Sequence, residues 1–207
     1  MKKKNNKILL SFVLLMAILL SGCIPPKYLI TNYDPPRTIA VLPLENQTVD
    51  LVGAKYVRYL LFKHLPERGY TVIDLTYIDS KLNEVGITDG GQLSIMTSEK
   101  IGEIVGAEGL MYGILEEFKF VNVGLYKEKT VKANFKIFSS RTGELLWEDE
   151  REESNSKFAF TFESMGESIV DGFVDKLVEG AFNCPLRSES VSVVKTSLST
   201  LPRCPKP

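Results

Sequence analysis

Few side chains in this chain could perform acid–base or nucleophilic chemistry. The 207 residues include one histidine, His64, and three cysteines. The sequence has no serine-hydrolase elbow, Walker loop, HExxH pair or CxxC pair, which are spacings that assemble a nucleophile, a phosphate cradle or a metal site. His64 falls inside a predicted helix, which favours a surface or partly packed histidine over a catalytic base. The sequence therefore predicts no enzyme, no metal site and no cofactor.

Acidic clusters are the remaining candidates for catalysis or metal binding. Glu116-Glu117 and Glu148-Asp149-Glu150 each place carboxylates side by side. Two carboxylates are the minimum for glycoside hydrolysis, and carboxylate oxygens are the usual ligands of calcium. Both clusters fall in predicted strands, where consecutive side chains point to opposite faces. We therefore expect a solvated sheet edge, with a hydrolase as the alternative.

Cys23 has the clearest chemical context of the three cysteines. It follows four lysines, an apolar run at residues 8–20, and the small residues Ser21 and Gly22. The run is shorter than the roughly 20 residues that cross a bilayer, so it is typical of a secretion signal. Residues 20–23, Leu-Ser-Gly-Cys, resemble the lipobox of bacterial lipoproteins. This resemblance implies cleavage before Cys23 and attachment of diacylglycerol and a fatty acyl chain such as palmitate. The alternative is an ordinary cysteine after an uncleaved anchor helix.

The lipobox resemblance also implies a location and a class of partner. Ile24 stands where an aspartate would favour inner-membrane retention, so we expect the periplasmic face of the outer membrane. Loss of residues 1–22, with their four lysines, would change the net charge from −1 to −5. A nucleic-acid-binding protein needs a concentrated basic face. The expected partners are therefore the membrane, reached through the lipid anchor, and envelope proteins, including further copies of the chain.

The hydrophobic pattern predicts a single α/β domain at residues 38–183, with a mixed sheet and packed helices. A nearly continuous apolar run at residues 38–44 indicates a strand covered on both faces. The later segments predict the order β-α-β-α-α-β-β-β-α. The predicted helices cover residues 50–65, 74–85, 97–105 and 162–182, and the predicted long strands cover residues 110–123, 130–139 and 144–153.

Two further segments are predicted to flank that domain. Residues 23–37 contain two Pro-Pro pairs, which favour an extended tether, although its apolar residues leave open that it lies along the domain or a partner. Residues 184–207 are rich in Ser, Thr, Val and Pro, and we expect no core from them. Cys184 and Cys204 bracket this tail. We expect a disulfide between them in an oxidising periplasm, worth roughly 3 kcal/mol; the alternative is two free thiols.

Three segments in a fixed order give a more specific resemblance. Residues 38–46 (TIAVLPLEN), 106–113 (GAEGLMYG) and 141–148 (RTGELLWE), behind the lipobox, resemble bacterial lipoproteins of the GNA type over about residues 20–180. The same segments are more loosely similar to the amino-terminal domain of TolB, the curli-secretion lipoprotein and the lipoprotein activators of penicillin-binding proteins. The resemblance implies an α/β lipoprotein domain with no established catalytic residues.

These features together predict an outer-membrane-anchored, non-catalytic interaction or assembly module in secretion, surface assembly or wall synthesis. The expected contact surfaces are a sheet edge and the alternating rings of Phe158, Phe160 and Phe162, with core packing of these rings as the alternative. Trp147 is expected in core packing or as a ligand platform. The competing function is a lipoprotein that holds a lipid, glycan or peptide in a cleft between sheet and helices.

Overall fold

The computed structural model describes residues 24–158 and 186–205. The strands are β1 Tyr28–Leu29, β2 Thr38–Val41, β3 Glu45–Asn46, β4 Thr71–Val72, β5 Gly109–Val123, β6 Tyr126–Ser139 and β7 Leu145–Phe158. The helices are α1 Gly53–His64, α2 Leu75–Glu84, α3 Ser98–Val105 and α4 Arg187–Thr200, with short 3-10 helices at Leu65–Arg68 and Gly90–Ile95. The helix predicted at residues 162–182 lies outside the described residues.

The strands form one mixed sheet, as predicted. Their order is β1-β7-β6-β5-β2-β4, and β3 also pairs with β5. β2 runs parallel to β4 and β5, whereas β5, β6 and β7 form an antiparallel meander. The fold class is therefore α/β with helices packed on a mixed sheet, which confirms the prediction.

The alternation of β2 explains the continuous apolar run that begins at Ile39. Ile39 and Val41 belong to a core shared with α1 and α4, on one face of the sheet. Ala40 and Leu42 belong to a second core shared with α2 and α3, on the other face. Because both faces of the sheet are covered here, the positions from Ile39 to Leu42 are buried and apolar, whereas Thr38 at the start of the strand is only partly buried.

The segment predicted as a tether is partly incorporated into the sheet. Tyr28 and Leu29 pair with Glu148 and Trp147 as the short edge strand β1, and Ile30 packs against the larger core. The alternative that this segment lies along the domain is therefore correct. The prediction of an extended tether is wrong for residues 28–37, because apolar side chains of this segment pack against the larger core at the sheet edge.

The expectation that the tail builds no core is wrong. Residues 187–200 form α4, and Leu186, Val193, Val194 and Leu198 are buried in the larger core. The other buried positions of this helix are Glu189, Ser190 and Ser197. The Oγ of Ser190 donates to the carbonyl of Leu186 at 2.7 Å. A serine that satisfies its hydroxyl against the helix backbone can be buried at little cost. Within the described part of the chain, none of the helices is long and apolar enough to cross a membrane.

One buried guanidinium connects the two helical layers. Arg58 of α1 donates from Nε to the carbonyl of Val41 at 3.1 Å, at the end of β2. Its Nη1 lies 2.7 Å from Oδ1 of Asp79 in α2. Since α1 and α2 pack on opposite faces of the sheet, this side chain joins both layers around the end of β2.

Candidate functional site

The antiparallel meander carries a row of paired charges on one of its faces. The face that contains Phe135 and Ile137 of β6 is packed in the larger core. Residues on the other face of these strands, together with Lys27 just before β1, form what we call the charged ladder: Lys27, Glu116, Lys132, Asn134, Lys136, Glu148 and Glu150. Its lysine and glutamate side chains are between 12% and 52% exposed. The ladder is therefore a partly solvated surface held on a rigid sheet.

Lysines bridge the carboxylates of the ladder across neighbouring strands. Lys132 Nζ lies 2.6 Å from Glu116 Oε2 and 3.0 Å from Glu150 Oε1. Lys27 Nζ lies 2.8 Å from Glu150 Oε2 and 3.1 Å from Glu148 Oε1. Each of these two lysines thus holds two carboxylates. The ion pairs join side chains of β5, β6 and β7 to the segment before β1.

The polar end of Asn134 completes the ladder. Its Nδ2 donates to Glu148 Oε1 at 2.9 Å, and the Nζ of Lys136 lies 3.7 Å from the same oxygen. Glu148 is therefore contacted from three directions.

The electrostatics of the ladder keep its carboxylates ionised. Hydrogen bonds from Lys27 and Lys132 lower the pKa of Glu150 to about 2. Burial acts to raise the pKa of Glu148, but hydrogen bonds from Asn134 and Lys27 outweigh it, so that this pKa is also lowered. A general acid in a hydrolase needs a raised pKa. The ladder instead provides fixed charges, and this argues against the hydrolase alternative.

The predicted alternation is confirmed for Glu148-Asp149-Glu150. It is wrong for Glu116-Glu117, because the register of β5 shifts between Leu115 and Glu117 and both glutamates lie between the core residues Leu115 and Phe118. Asp149 is buried on the opposite face from Glu148 and Glu150, where its Oδ2 accepts from Arg151 Nε at 2.7 Å. Sequence reasoning missed the lysine partners because they come from other strands. Their signal was the alternation of Lys132, Asn134 and Lys136. Across residues 24–158 and 186–205, no group of His, Cys, Asp or Glu side chains could hold a metal ion.

A cleft of about 350 Å³ opens beside the ladder, between the meander and the 3-10 helix Gly90–Ile95. Its apolar wall includes Met96, Tyr112 and Phe138, and its polar groups include Lys136. The rings of Tyr112 and Phe138 meet edge to face, with centroids 5.3 Å apart. Burial raises the pKa of Tyr112, so its hydroxyl remains a neutral donor. The volume is at the lower end of the range for small-molecule sites, about 300–1,000 Å³.

Of the predicted aromatic contact residues, Trp147 lies away from this cleft. The Trp147 ring is 0% exposed in the core, and its Nε1 donates to Thr200 Oγ1 of α4 at 3.2 Å. The core-packing alternative is therefore correct for Trp147, and its side chain does not line the cleft. Phe158 is the last residue of β7, while Phe160 and Phe162 lie outside the described residues.

The three cysteines are only partly covered by the structure. Cys23 and Cys184 lie outside the described residues, so lipidation of Cys23 and the Cys184–Cys204 disulfide stay predictions. Cys204 is 7% exposed, and its backbone N–H donates to the carbonyl of Arg68 at 2.9 Å. The end of the tail is thereby fixed beside α1 and the 3-10 helix that follows it.

His64 is buried at the end of α1. Its Nδ1 lies 2.7 Å from Glu67 Oε1, and this hydrogen bond lowers the pKa of Glu67. The pair links the end of α1 to the following 3-10 helix, and neither residue belongs to the charged ladder. The structure thus places the histidine in a local structural contact.

Comparison with known proteins identifies relatives of this fold. The family described as "Putative lipoprotein GNA1162-like" matches residues 28–196. The "Putative lipoprotein NMB1124/NMB1162" of Neisseria meningitidis serogroup B is 24% identical over 150 residues, which is 71% of this chain and 70% of the relative. The crystal structure of lipoprotein GNA1162 from Neisseria meningitidis aligns at 23% identity with a TM-score of 0.55, over 63% of this chain and 91% of that one.

A looser structural likeness is to the PelC dodecamer from Paraburkholderia phytofirmans. It aligns at 13% identity with a TM-score of 0.48, over 81% of this chain and 89% of that one, and a likeness of this degree supports no statement about function. The family match is stronger evidence, because it extends from β1 into α4 and includes all three segments of the predicted GNA-type resemblance. That resemblance is confirmed: this chain belongs to the GNA1162-like family of lipoproteins.

Proposed function

We propose that this chain is a lipid-anchored, non-catalytic docking module at the periplasmic face of the outer membrane. Cys23 carries the lipid, and the folded domain assembles with other envelope proteins in secretion, surface assembly or wall synthesis. Membership of a lipoprotein family supports the anchor. The observation that carries the docking role is the charged ladder, a partly exposed row of fixed charges on a rigid sheet.

The ladder suits recognition because its charges are ordered before a partner arrives. Three lysines alternate with three glutamates, so the surface has a pattern of charge but little net charge. Such a pattern selects partners by complementarity and register, since a misaligned partner brings like charges together. The lowered pKa values of Glu148 and Glu150 keep this pattern constant at neutral pH.

Site-specific photocrosslinking in cells tests the docking role. A photoreactive residue at Lys136, which is partly exposed at the edge of the ladder, is compared with one at Lys81 on the outer surface of α2. The proposal expects a crosslinked envelope protein at Lys136 and none at Lys81, and expects the charge-reversing change Glu150→Lys to abolish it. Recovery of the domain alone at both positions would refute the docking role.

Fatty-acid labelling tests the anchor separately. The wild-type chain should incorporate labelled palmitate and sediment with membranes, while Cys23→Ser should do neither, because a serine hydroxyl cannot form the thioether. Equal labelling of both chains would remove Cys23 as the anchor.

The cleft supports a second candidate function, a lipoprotein that holds a small lipid, glycan or peptide. Its aromatic wall, formed by Tyr112 and Phe138, and its cation, Lys136, are the elements that such a site needs. Mass spectrometry of the gently purified chain would show a co-purified molecule that is lost when Met96→Trp fills the cleft. An empty cleft in both proteins would leave the docking role as the function.

A further inference from the structure

The distal end of the β5–β6 hairpin exposes large apolar side chains. Phe120 is 46% exposed, Val123 is 68% exposed and Leu125 is 58% exposed. We call residues 120–127 the hairpin tip. A soluble surface rarely gathers this much exposed apolar area without an occupant.

The register of the sheet brings the chain before β1 toward this tip. β7 ends with Phe158 opposite Tyr126, so its carboxyl end is at the tip. β1 runs antiparallel to β7, with Tyr28 opposite Glu148. Residues before Tyr28 therefore run along β7 toward the tip. Arg151 confirms this direction, since its Nη2 donates to the carbonyl of Pro25 at 3.2 Å.

The length of the chain before Pro25 limits how far a bilayer that holds Cys23 can lie from the tip. Two residues separate Pro25 from Cys23 and span at most about 7 Å, to which the glycerol of the anchor adds a few ångströms. Seven residues separate Arg151 from Phe158 and span about 24 Å. If the chain continues in this direction to Cys23, a bilayer that holds its acyl chains meets β7 in its last third, about 10–15 Å along the strand from the tip. With the strands tilted by about 45° to the membrane, the tip would lie about 7–10 Å beyond that level. Interfacial protein segments typically reach about 5–10 Å into the headgroup and acyl boundary.

Three lysines lie beside the tip, together with Glu128, which accepts from the Tyr126 hydroxyl at 2.9 Å. Lys127 is exposed next to Leu125 and Tyr126. Lys119 and Lys129 stand on the two neighbouring strands, paired with Glu117 at 3.3 Å and with Glu189 at 3.7 Å. Apolar side chains flanked by lysines are the pattern of a segment that enters the interface while its cations contact phosphates.

We propose that the hairpin tip inserts into the interface of the same bilayer that holds Cys23, with Phe120, Val123 and Leu125 as the membrane contacts. This inference rests on the lipid anchor of the proposed function. The anchor and the tip then hold the domain at two points, with the long strands steeply inclined to the membrane. The charged ladder faces sideways, toward proteins that stand beside it on the membrane.

Tryptophan quenching in vesicles tests the contact. The acylated full-length product is reconstituted into vesicles of phosphatidylethanolamine and phosphatidylglycerol, with and without brominated acyl chains. Leu125→Trp places an indole at the tip, and Arg141→Trp places one in the β6–β7 turn at the opposite end of the meander. Both proteins keep the buried Trp147 as a common background that also reports correct folding.

The inference expects the added emission of Leu125→Trp to shift to the blue and to be quenched several-fold more by brominated lipid than that of Arg141→Trp. Equal quenching of the two proteins, while both float with the vesicles, would overturn the tip contact and leave the anchor intact. A blue shift of Leu125→Trp without quenching would also overturn it, because a second copy or residues 159–185 would then cover the tip. Failure of the acylated chain to float would overturn the anchor and, with it, this inference.

Discussion

Trp147 Nε1 donates a hydrogen bond to Thr200 Oγ1 across 3.2 Å, so the only tryptophan of the chain is bonded to its last helix. The bond joins β7 to α4 within the larger core. It makes the emission of Trp147 a direct reporter of whether α4 is docked, because undocking would expose an otherwise fully buried indole.

Loss of packing in α4 should destabilise the whole domain. Leu198 is buried in the larger core, and truncation of a buried leucine typically costs about 2–5 kcal/mol. We expect Leu198→Ala to lower the free energy of unfolding by that amount, measured by urea denaturation followed through Trp147. Thr196→Ala on the exposed side of the same helix is the control and should change it by less than about 0.5 kcal/mol. Equal effects would mean that α4 contributes no core.

The ladder should make stability depend on pH in the acid range. The pKa of Glu150 is lowered to about 2 in the folded chain, below the value of about 4.3 in an unfolded chain. Its stabilisation is therefore complete above about pH 4.3 and is lost as the pH falls toward 2. Glu150→Gln should be less stable than wild type at pH 7 and should converge with it near pH 2.

Urea denaturation at several pH values measures this convergence. Glu84→Gln is the control, because Glu84 forms only an exposed ion pair with Lys81 in α2, and it should differ from wild type by less than about 0.5 kcal/mol between pH 7 and pH 2. A constant difference between Glu150→Gln and wild type from pH 7 to pH 2 would contradict the ionic role of Glu150.

The position of the 3-10 helix beside the cleft depends on Gly90. A Cβ at this residue would lie 2.2 Å from the carbonyl carbon of Leu44, whereas the nearest atom to a Cβ at Gly91 is Asp89 Oδ1 at 3.2 Å. Gly90→Ala must therefore displace backbone and should cost about 1–3 kcal/mol, the usual range for overpacking. Gly91→Ala is the matched control and should cost clearly less by the same denaturation measurement. Equal costs would show that the helix does not pack this closely against Leu44.

The predicted Cys184–Cys204 disulfide should show in the intact mass. Protein from an oxidising compartment should resist alkylation of Cys204 after unfolding unless a reductant is present. Cys184→Ser should leave Cys204 open to alkylation without reductant and lower the stability by roughly 3 kcal/mol, the chain-entropy value for such a loop. Alkylation of unreduced, unfolded wild type would exclude the bond.

Local signals predicted the central elements well. The helix start at Thr97 is confirmed, since its Oγ1 accepts from the N–H of Lys100, and Gly106 ends this helix at a φ of 70°. The three long strands are also confirmed. The turn predicted from Gly124 to Lys129 is shorter, because Tyr126 already pairs with Val123. Alternation sets the face of a strand, but the extent of pairing depends on the partner strand.

The missed elements depended on partners distant in sequence. β1 has two residues, and its pairing requires Glu148 and Trp147 at the sheet edge. α4 has an apolar stripe interrupted by serines, so composition suggested a loose tail. The lysines of the ladder likewise meet their carboxylate partners only when β6, β7 and the segment before β1 lie side by side. Predicting each of these features requires knowing which segments lie side by side in the folded chain, and local periodicity does not contain that information.

The Arg58 guanidinium at the end of β2 has a consequence for cooperativity. A buried cation that loses its acceptors is strongly destabilising. If α2 detached from one face of the sheet while α1 stayed in place on the other, Arg58 would lose Asp79, so the two helices should detach together. Amide protons of the two helices should accordingly exchange with solvent through one common opening event. A structural change on either face of the sheet is then transmitted to the other face through the Arg58 side chain.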